Sequence, residues 1–208
     1  MLSALLLASA AAVSAYNATG PYGVHITGKE DSAVDGYAGA CHAGAAIEGL
    51  CFIDGALNGN ETYQQFYFNA SGYDFETGAP SSYGWLEWEL QFTSGENGEI
   101  GTAPSALQIF LNLGSNVNTA LFYPGIDEYT SLQKADDGTL FISGGVDDSS
   151  FNSTYPNPTT YLGNLTNWHL CYQYTGGYYY QSIAWVTTQP PHNPSCVPVD
   201  LTLEQITY

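Results

Sequence analysis

Apolar and polar residues alternate with a period of two in several separate stretches of this chain, and no stretch sustains the period of about 3.6 residues that a long helix needs. The clearest strand signal runs from Trp85 to Phe92. Leu86, Trp88, Leu90 and Phe92 fall on one face, with Trp85, Glu87, Glu89 and Gln91 on the other. A second stretch sets Leu107, Ile109, Leu111 and Leu113 against Gln108, Phe110 and Asn112. A third spans Gly138 to Ser143, entered through the turn Ala135-Asp136-Asp137-Gly138. Two more cover Tyr178 to Thr187 and Val197 to Ile206, the last with Val197, Val199, Leu201 and Leu203 on one face. Turn chemistry separates them: Gly-Glu-Asn-Gly at 95–98, Tyr-Pro-Gly at 123–125 and Gln-Pro-Pro-His-Asn-Pro at 189–194. The only helical candidate is a turn or two around His42 to Leu50. Short strands between Gly, Pro and Asn turns predict an all-β fold, a single-domain antiparallel β-sandwich of jelly-roll type.

The first fifteen residues, MLSALLLASAAAVSA, break the alternation. An apolar run of that length ending in Val-Ser-Ala reads as a secretory signal peptide cut before Tyr16, since a membrane span needs roughly 20 apolar residues. Residues 16–208 then form one domain, large enough for a substantial core. The ending LTLEQITY lacks the apolar stretch of a GPI signal. A released, extracellular protein is the expectation.

The cysteines agree with export. Cys41, Cys51, Cys171 and Cys196 are an even set, which in an exported chain reads as two disulfides. Of the three connectivities, the spacings favour Cys41 with Cys51 and Cys171 with Cys196, because short loops close with the least entropy loss. Absence of a CxxC pair argues against zinc. N-x-S/T sequons stand at Asn17, Asn60, Asn69, Asn152 and Asn164, while Asn157 and Asn193 precede proline and are excluded. A used acceptor must lie on the surface.

Charge narrows the partners. Lys29 and Lys134 are the only basic side chains against 20 carboxylates, for a formal charge of −18 at pH 7. Nucleic acid, anionic membrane and acidic polysaccharide are poor partners, because phosphate recognition needs clustered Lys and Arg. Charged residues still make up only 11% of the chain, so the surface must be built largely from Ser, Thr, Asn, Gln, Gly and Tyr. Self-repulsion fades as pH approaches the sequence pI of about 4.1, which points to a working pH below neutral.

Four blocks carry a resemblance: ACHAGAAIEGLCF at 40–52, SNVNTALFYPG at 115–125, WHLCYQY at 168–174 and IAWVTTQPPHNPSCVPVDL at 183–201. Together they resemble a family of small secreted, functionally uncharacterised ascomycete proteins. The resemblance implies a four-cysteine β-sandwich and assigns no activity. This chain departs from the family pattern in its last strand, where Asp200 and Glu204 stand in place of basic residues.

Three kinds of chemistry are candidates. Glu87 and Glu89 share a strand face beside Trp85, and a strand spaces such Cβ atoms about 6.5–7 Å apart. Retaining glycosidases hold two carboxylates about 5–5.5 Å apart, often with an aromatic ring under the sugar. The Glu-x-Asp-x-x-Glu pattern of sandwich-fold glycosidases is absent, and a polar strand face often carries Glu for solubility alone. Neither GxSxG nor a spare cysteine offers a nucleophile, and His25, His42, His169 and His192 show no HExxH or HxH spacing. Asp136-Asp137 and Asp147-Asp148 could hold calcium, although Asp in such turns more often caps backbone amides. No metal or cofactor is expected.

Aromatic residues are the stronger lead. Tyr172, Tyr174, Tyr178, Tyr179, Tyr180 and Trp185 crowd one segment, and Trp85, Trp168 and Tyr83 add to them. Exposed rings stack on neutral sugars while amides and carboxylates bond the hydroxyls. Alternation forbids both sets of Tyr178 to Trp185 from facing solvent, so half should fill the core. The reading is therefore a secreted, non-catalytic glycoprotein acting at or near a cell wall, a weak neutral-polysaccharide-binding module with Trp85, Glu87, Glu89, Tyr178 and Tyr180 as candidate contacts. A glycoside hydrolase using Glu87 and Glu89 is one alternative. A structural or host-directed protein that binds another extracellular protein is the other, and the sequence leaves its oligomeric state open.

Overall fold

A computed structural model describes residues 17–94, 98–154 and 160–208. The expected leader, residues 1–15, lies outside the described residues, as does the Gly95-Glu96-Asn97 part of one expected turn. In chain order the strands are β1 (Asn17–Gly28), β2 (Asp35–Gly44), β3 (Ile47–Asp54), β4 (Phe66–Ala70), β5 (Tyr83–Ser94), β6 (Glu99–Phe110) and β7 (Val117–Pro124). There follow β8 (Leu132–Lys134), β9 (Leu140–Ser143), β10 (Val146–Asp147), β11 (Thr160–Tyr161), β12 (Asn164–Leu165), β13 (Trp168–Thr175), β14 (Tyr178–Val186) and β15 (Val197–Gln205). One 3-10 turn, Thr62–Gln64, is the helical content of the described residues.

The fold is all-β, but the expected two-sheet sandwich is replaced by a closed ring. Hydrogen-bonded ladders run β1–β15–β13–β14–β3–β7–β6–β5–β4 and return to β1, a nine-strand barrel. Closure depends on strands that change partner along their length. β6 pairs through Glu99–Ala106 with β5 and through Ala106–Phe110 with β7. β7 in turn meets β14 at residues 117–119 and β3 at residues 121–122. Closure covers both edges of the strands around the ring, while Glu89–Ser94 of β5 and Glu99–Pro104 of β6 pair only with each other as a two-stranded arm. β2 lies off the ring between β1 and β3, and β8, β9 and β12 extend from β5.

Alternation places the core as expected. Val24 and Ile26 from β1, Phe66 from β4, Leu86 from β5, Leu170 from β13 and Leu201 from β15 are all fully buried. Trp168 is the largest fully buried side chain, edge-on to Trp185 at 4.9 Å, with its indole N–H donating to Leu140 O at 2.9 Å. Each such ring removes a large apolar area from water at about 25 cal/mol per Å2.

Three local expectations are corrected. The segment His42 to Leu50 is not helical: it forms the end of β2, a two-residue turn at Ala45-Ala46 and the start of β3. Ala46 takes the left-handed conformation there, with φ of 59°, next to an irregularity in the ladder between His42 and Gly44. The strand expected through Leu113 stops at Phe110, leaving Leu111 and Leu113 exposed in the loop. On β5 the two faces do not divide into core and solvent. Trp85 and Glu87 are buried on the outer face, while Phe92 is exposed where β5 and β6 run on as a hairpin arm.

Both disulfides are present, Cys41–Cys51 with Cα atoms 5.9 Å apart and Cys171–Cys196 with Cα atoms 4.1 Å apart. Such bonds suit an oxidising compartment. No helix among the described residues is long and apolar enough to cross a membrane.

Candidate functional site

The Gly176-Gly177 dipeptide joins β13 to β14 in a two-residue turn, with Thr175 opposite Tyr178 and Tyr174 opposite Tyr179. A Cβ at Gly176, whose φ is +60°, would stand 2.0 Å from Ala43 O, so this turn requires glycine on both conformational and steric grounds. Tyrosines on both faces of this hairpin reach solvent, although Thr175 at its tip is fully buried. That overturns the expectation that one alternating set must be buried. Burial on both faces begins only at Ser182.

One face carries Tyr172, Tyr174 and Tyr179, which are 50%, 71% and 61% exposed. The Tyr172 and Tyr179 rings lie 6.5 Å apart and nearly parallel at 21°, and Tyr174 meets Tyr179 edge-on at 5.4 Å. These three line a cleft of about 350 Å3 whose polar lining is Asn112, Ser115, Thr119, Gln173 and Asn193. Every one of those side chains is uncharged. Two larger clefts differ in that respect: about 420 Å3 beside Phe110 and Tyr123 with Asp127 and Glu128, and about 470 Å3 beside Phe52 with Asp35 and Asp54. The tyrosine cleft is set apart by its three exposed rings together with an uncharged polar lining.

Connections from distant parts of the chain hold this cleft in place. Asn116 is the hub: its Nδ2 donates to Thr188 O at 2.7 Å and to Pro190 O at 2.8 Å, and its Oδ1 accepts from His192 N at 2.8 Å. Asn193 Nδ2 donates to Tyr172 O at 2.9 Å, and Tyr172 N donates to Ser195 Oγ at 3.0 Å. The Cys171–Cys196 disulfide closes the same segment against β13. His169, 3% exposed, fastens its start, with Nδ1 at 3.0 Å from Asn167 O and Nε2 accepting from Gln189 Nε2 at 3.1 Å. Burial pushes the His169 ring below the usual histidine range, which suits a neutral, structural imidazole. Beneath the tip, Gly177 N donates to Ala43 O at 3.0 Å, so the disulfide-bridged β2–β3 hairpin supports the tyrosine hairpin.

Of the residues expected to bind glycan, Tyr178 and Tyr180 lie on the hairpin face opposite Tyr172, Tyr174 and Tyr179 and do not line the cleft. They stack at 6.1 Å, and Tyr178 meets His42 edge-on at 5.1 Å. Trp85, expected in solvent, is 8% exposed and lies against Tyr129 at 4.4 Å. Glu87 is 6% exposed, and its Oε2 accepts from Asn69 Nδ2 and from the Trp85 indole N–H, each at 3.2 Å. Glu89 is exposed. A buried carboxylate spoken for by two donors and a second one in solvent do not line a common cleft with Trp85, and the residues of the clefts described above include none of the three.

Other candidates find ordinary structural roles. Asp137 Oδ1 accepts from Thr139 N at 2.9 Å and Asp147 Oδ1 from Ser149 N at 3.0 Å, bonds that lower both carboxyls below their usual range. His25 sits between Asp35, 2.7 Å from Nε2, and Glu204, 2.9 Å from Nδ1, with Tyr37 stacked on its ring at 4.8 Å. Asn69 cannot carry a sugar in this fold: it is 1% exposed and its Nδ2 is committed to Glu87. Asn60, Asn152 and Asn164 are exposed, and Asn17 is partly so.

Sequence reasoning missed Asn112, Ser115, Thr119, Gln173 and Asn193, which come together from segments far apart in the chain. Their signal was the density of uncharged amides in SNVNT and in the loop beside the tyrosines. No protein-family model, curated protein or solved structure matches this chain.

Proposed function

We propose that this protein is a secreted, non-catalytic glycoprotein module that acts at or near a cell wall and binds neutral polysaccharide weakly through the tyrosine cleft of the β13–β14 hairpin. The observation that carries this reading is the coincidence, in a chain of net charge −18, of three exposed tyrosines with a cleft whose polar lining is wholly uncharged. Flat phenol rings supply apolar stacking, and Asn, Gln, Ser and Thr both donate to and accept from sugar hydroxyls. Exposed rings offer limited buried area, which is consistent with weak binding and with gain from repeated units along one polymer. A fungal origin is part of this proposal through the resemblance to secreted ascomycete proteins, and the wall setting follows from the proposed ligand.

The test is depletion of the purified mature chain from solution near pH 5 by insoluble chitin, β-glucan or cellulose. Retention on one polymer that is lost in Tyr172→Ala supports the reading; indifference of the protein to all three removes it. A second reading, a docking surface for an extracellular protein, is favoured by Leu111 and Leu113, which are 75% and 101% exposed on either side of Asn112 at the rim of the cleft. Leu113→Ser would weaken that partner's binding while leaving polysaccharide retention intact.

A further inference from the structure

The two lysines have very different surroundings. Lys29 is satisfied: its Nζ lies 3.0 Å from Asp200 Oδ1 and donates to Thr166 O at 2.6 Å and to Thr166 Oγ1 at 2.9 Å. Lys134 forms no ion pair among the described residues, although the chain carries 20 carboxylates. It ends β8 half-buried, next to Leu132 and Gln133, both of which are buried. Its ammonium lies 5.1 Å from the centre of the Tyr22 ring and 5.5 Å from that of Phe68, and it donates to Tyr22 Oη over a long 3.4 Å. An ammonium has three donors, and this contact occupies one.

The rest of that charge faces a cleft of about 330 Å3 where β1, β4 and β8 approach one another. Phe68, Ala70 and Pro80 give it an apolar wall, and Ser81 and Ser82 add hydroxyls. Asp136 also lines it and, with the net charge of the chain, disfavours any ligand bearing a second negative charge. We propose that the Lys134 cleft is a binding site for a small monocarboxylate with an apolar body, its carboxylate on the ammonium and its carbon skeleton along Phe68, Ala70 and Pro80. A charge-assisted contact in a partly enclosed site is stronger than a neutral one, and a compact lysine charge suits one carboxylate. The site is separate from the tyrosine cleft and does not depend on the polysaccharide reading.

Benzoate and its uncharged analogue benzyl alcohol are the probes, titrated into the isotopically labelled mature chain while backbone amide signals are followed. Benzoate should shift the signals of Ser81, Ser82 and Ala135 saturably and bind roughly tenfold more tightly than benzyl alcohol, as expected for one charge-assisted contact. Lys134→Met keeps the apolar stem and should erase that preference. Ser82→Phe, which fills the cleft and leaves the lysine in place, should block both probes and serves if Lys134→Met does not fold. The proposal is overturned by equal affinity for the two probes, by unchanged benzoate binding in either variant, or by no saturable shift up to about 10 mM benzoate.

Discussion

Glu87 shows how one residue's role turns on what covers it. From the alternation of Trp85 to Phe92 it belongs on a polar outer face beside Glu89. In the fold, Tyr129 lies over Trp85, and the carboxylate becomes a buried acceptor for Asn69 and Trp85. The sequence could not reveal this, because the residue that closes the site lies more than forty positions further along the chain. Removing a carboxylate that satisfies two buried donors strands both. Glu87→Ala should therefore cost about 1–3 kcal/mol, lowering the melting temperature by about 2–4 °C for each kcal/mol, with polysaccharide retention unchanged. The same cluster decides a modification. Glycopeptide mapping of the protein expressed through a eukaryotic secretory pathway should find no sugar on Asn69, and an occupied Asn69 would show that this part of the barrel is packed differently.

Strands were legible as elements, but their partners were not. Trp85 to Phe92, Tyr178 to Thr187 and Val197 to Ile206 each correspond to a strand, within a few residues at their ends. Period-two alternation reports that one face is covered without saying by what, so it serves a sandwich and a closed barrel equally. The helical look of His42 to Leu50 arose from its alanines, and strand pairing with the bridge from Cys41 to Cys51 overrode it. The chosen disulfide pairing was readable because each pair is close in sequence. The turn that presents the tyrosines offers a sharp check. Gly176→Ala would drive a Cβ into Ala43 O, whereas a Cβ at Gly177 meets nothing within 4 Å. Gly176→Ala should cost about 1–3 kcal/mol and weaken retention on polysaccharide, and Gly177→Ala should have a much smaller effect on both. Melting curves and depletion assays of the two variants make the comparison.

Over the whole molecule the dominant fact is charge, and its consequence is a stability profile tilted to acid. Lowering pH from neutral relieves repulsion among the carboxylates. Burial raises the Glu48 carboxyl, so its contribution is present below the ordinary carboxylate range and is lost as pH rises. Three groups resist further acidification. Hydrogen bonds from Thr77, Thr139 and Ser149 hold Asp74, Asp137 and Asp147 low, and their stabilisation is lost as pH falls through those depressed values. His169, lowered by burial, acts in the same direction below its usual range. At the alkaline end, burial and the Glu204 carboxylate push the Tyr37 hydroxyl from 10.0 up to about 12, a contribution present below pH 10.0 and lost as pH rises toward 12. The melting temperature should thus peak between about pH 5 and 6 and fall steeply above pH 10, less steeply in Tyr37→Phe. A maximum at pH 8 would contradict the charge argument.

The central claim is that one face of the β13–β14 hairpin binds neutral polysaccharide, and the most direct test compares its two faces in the same depletion assay. Binding isotherms would be measured on the polymer that retains the wild-type chain, for Tyr172→Ala with Tyr179→Ala and for Tyr178→Ala with Tyr180→Ala. The account predicts that losing the cleft-side pair lowers affinity at least about tenfold, roughly 1.4 kcal/mol, while losing the opposite pair changes it by less than about twofold. Equal loss from both pairs, or loss only from the Tyr178 and Tyr180 pair, would contradict it.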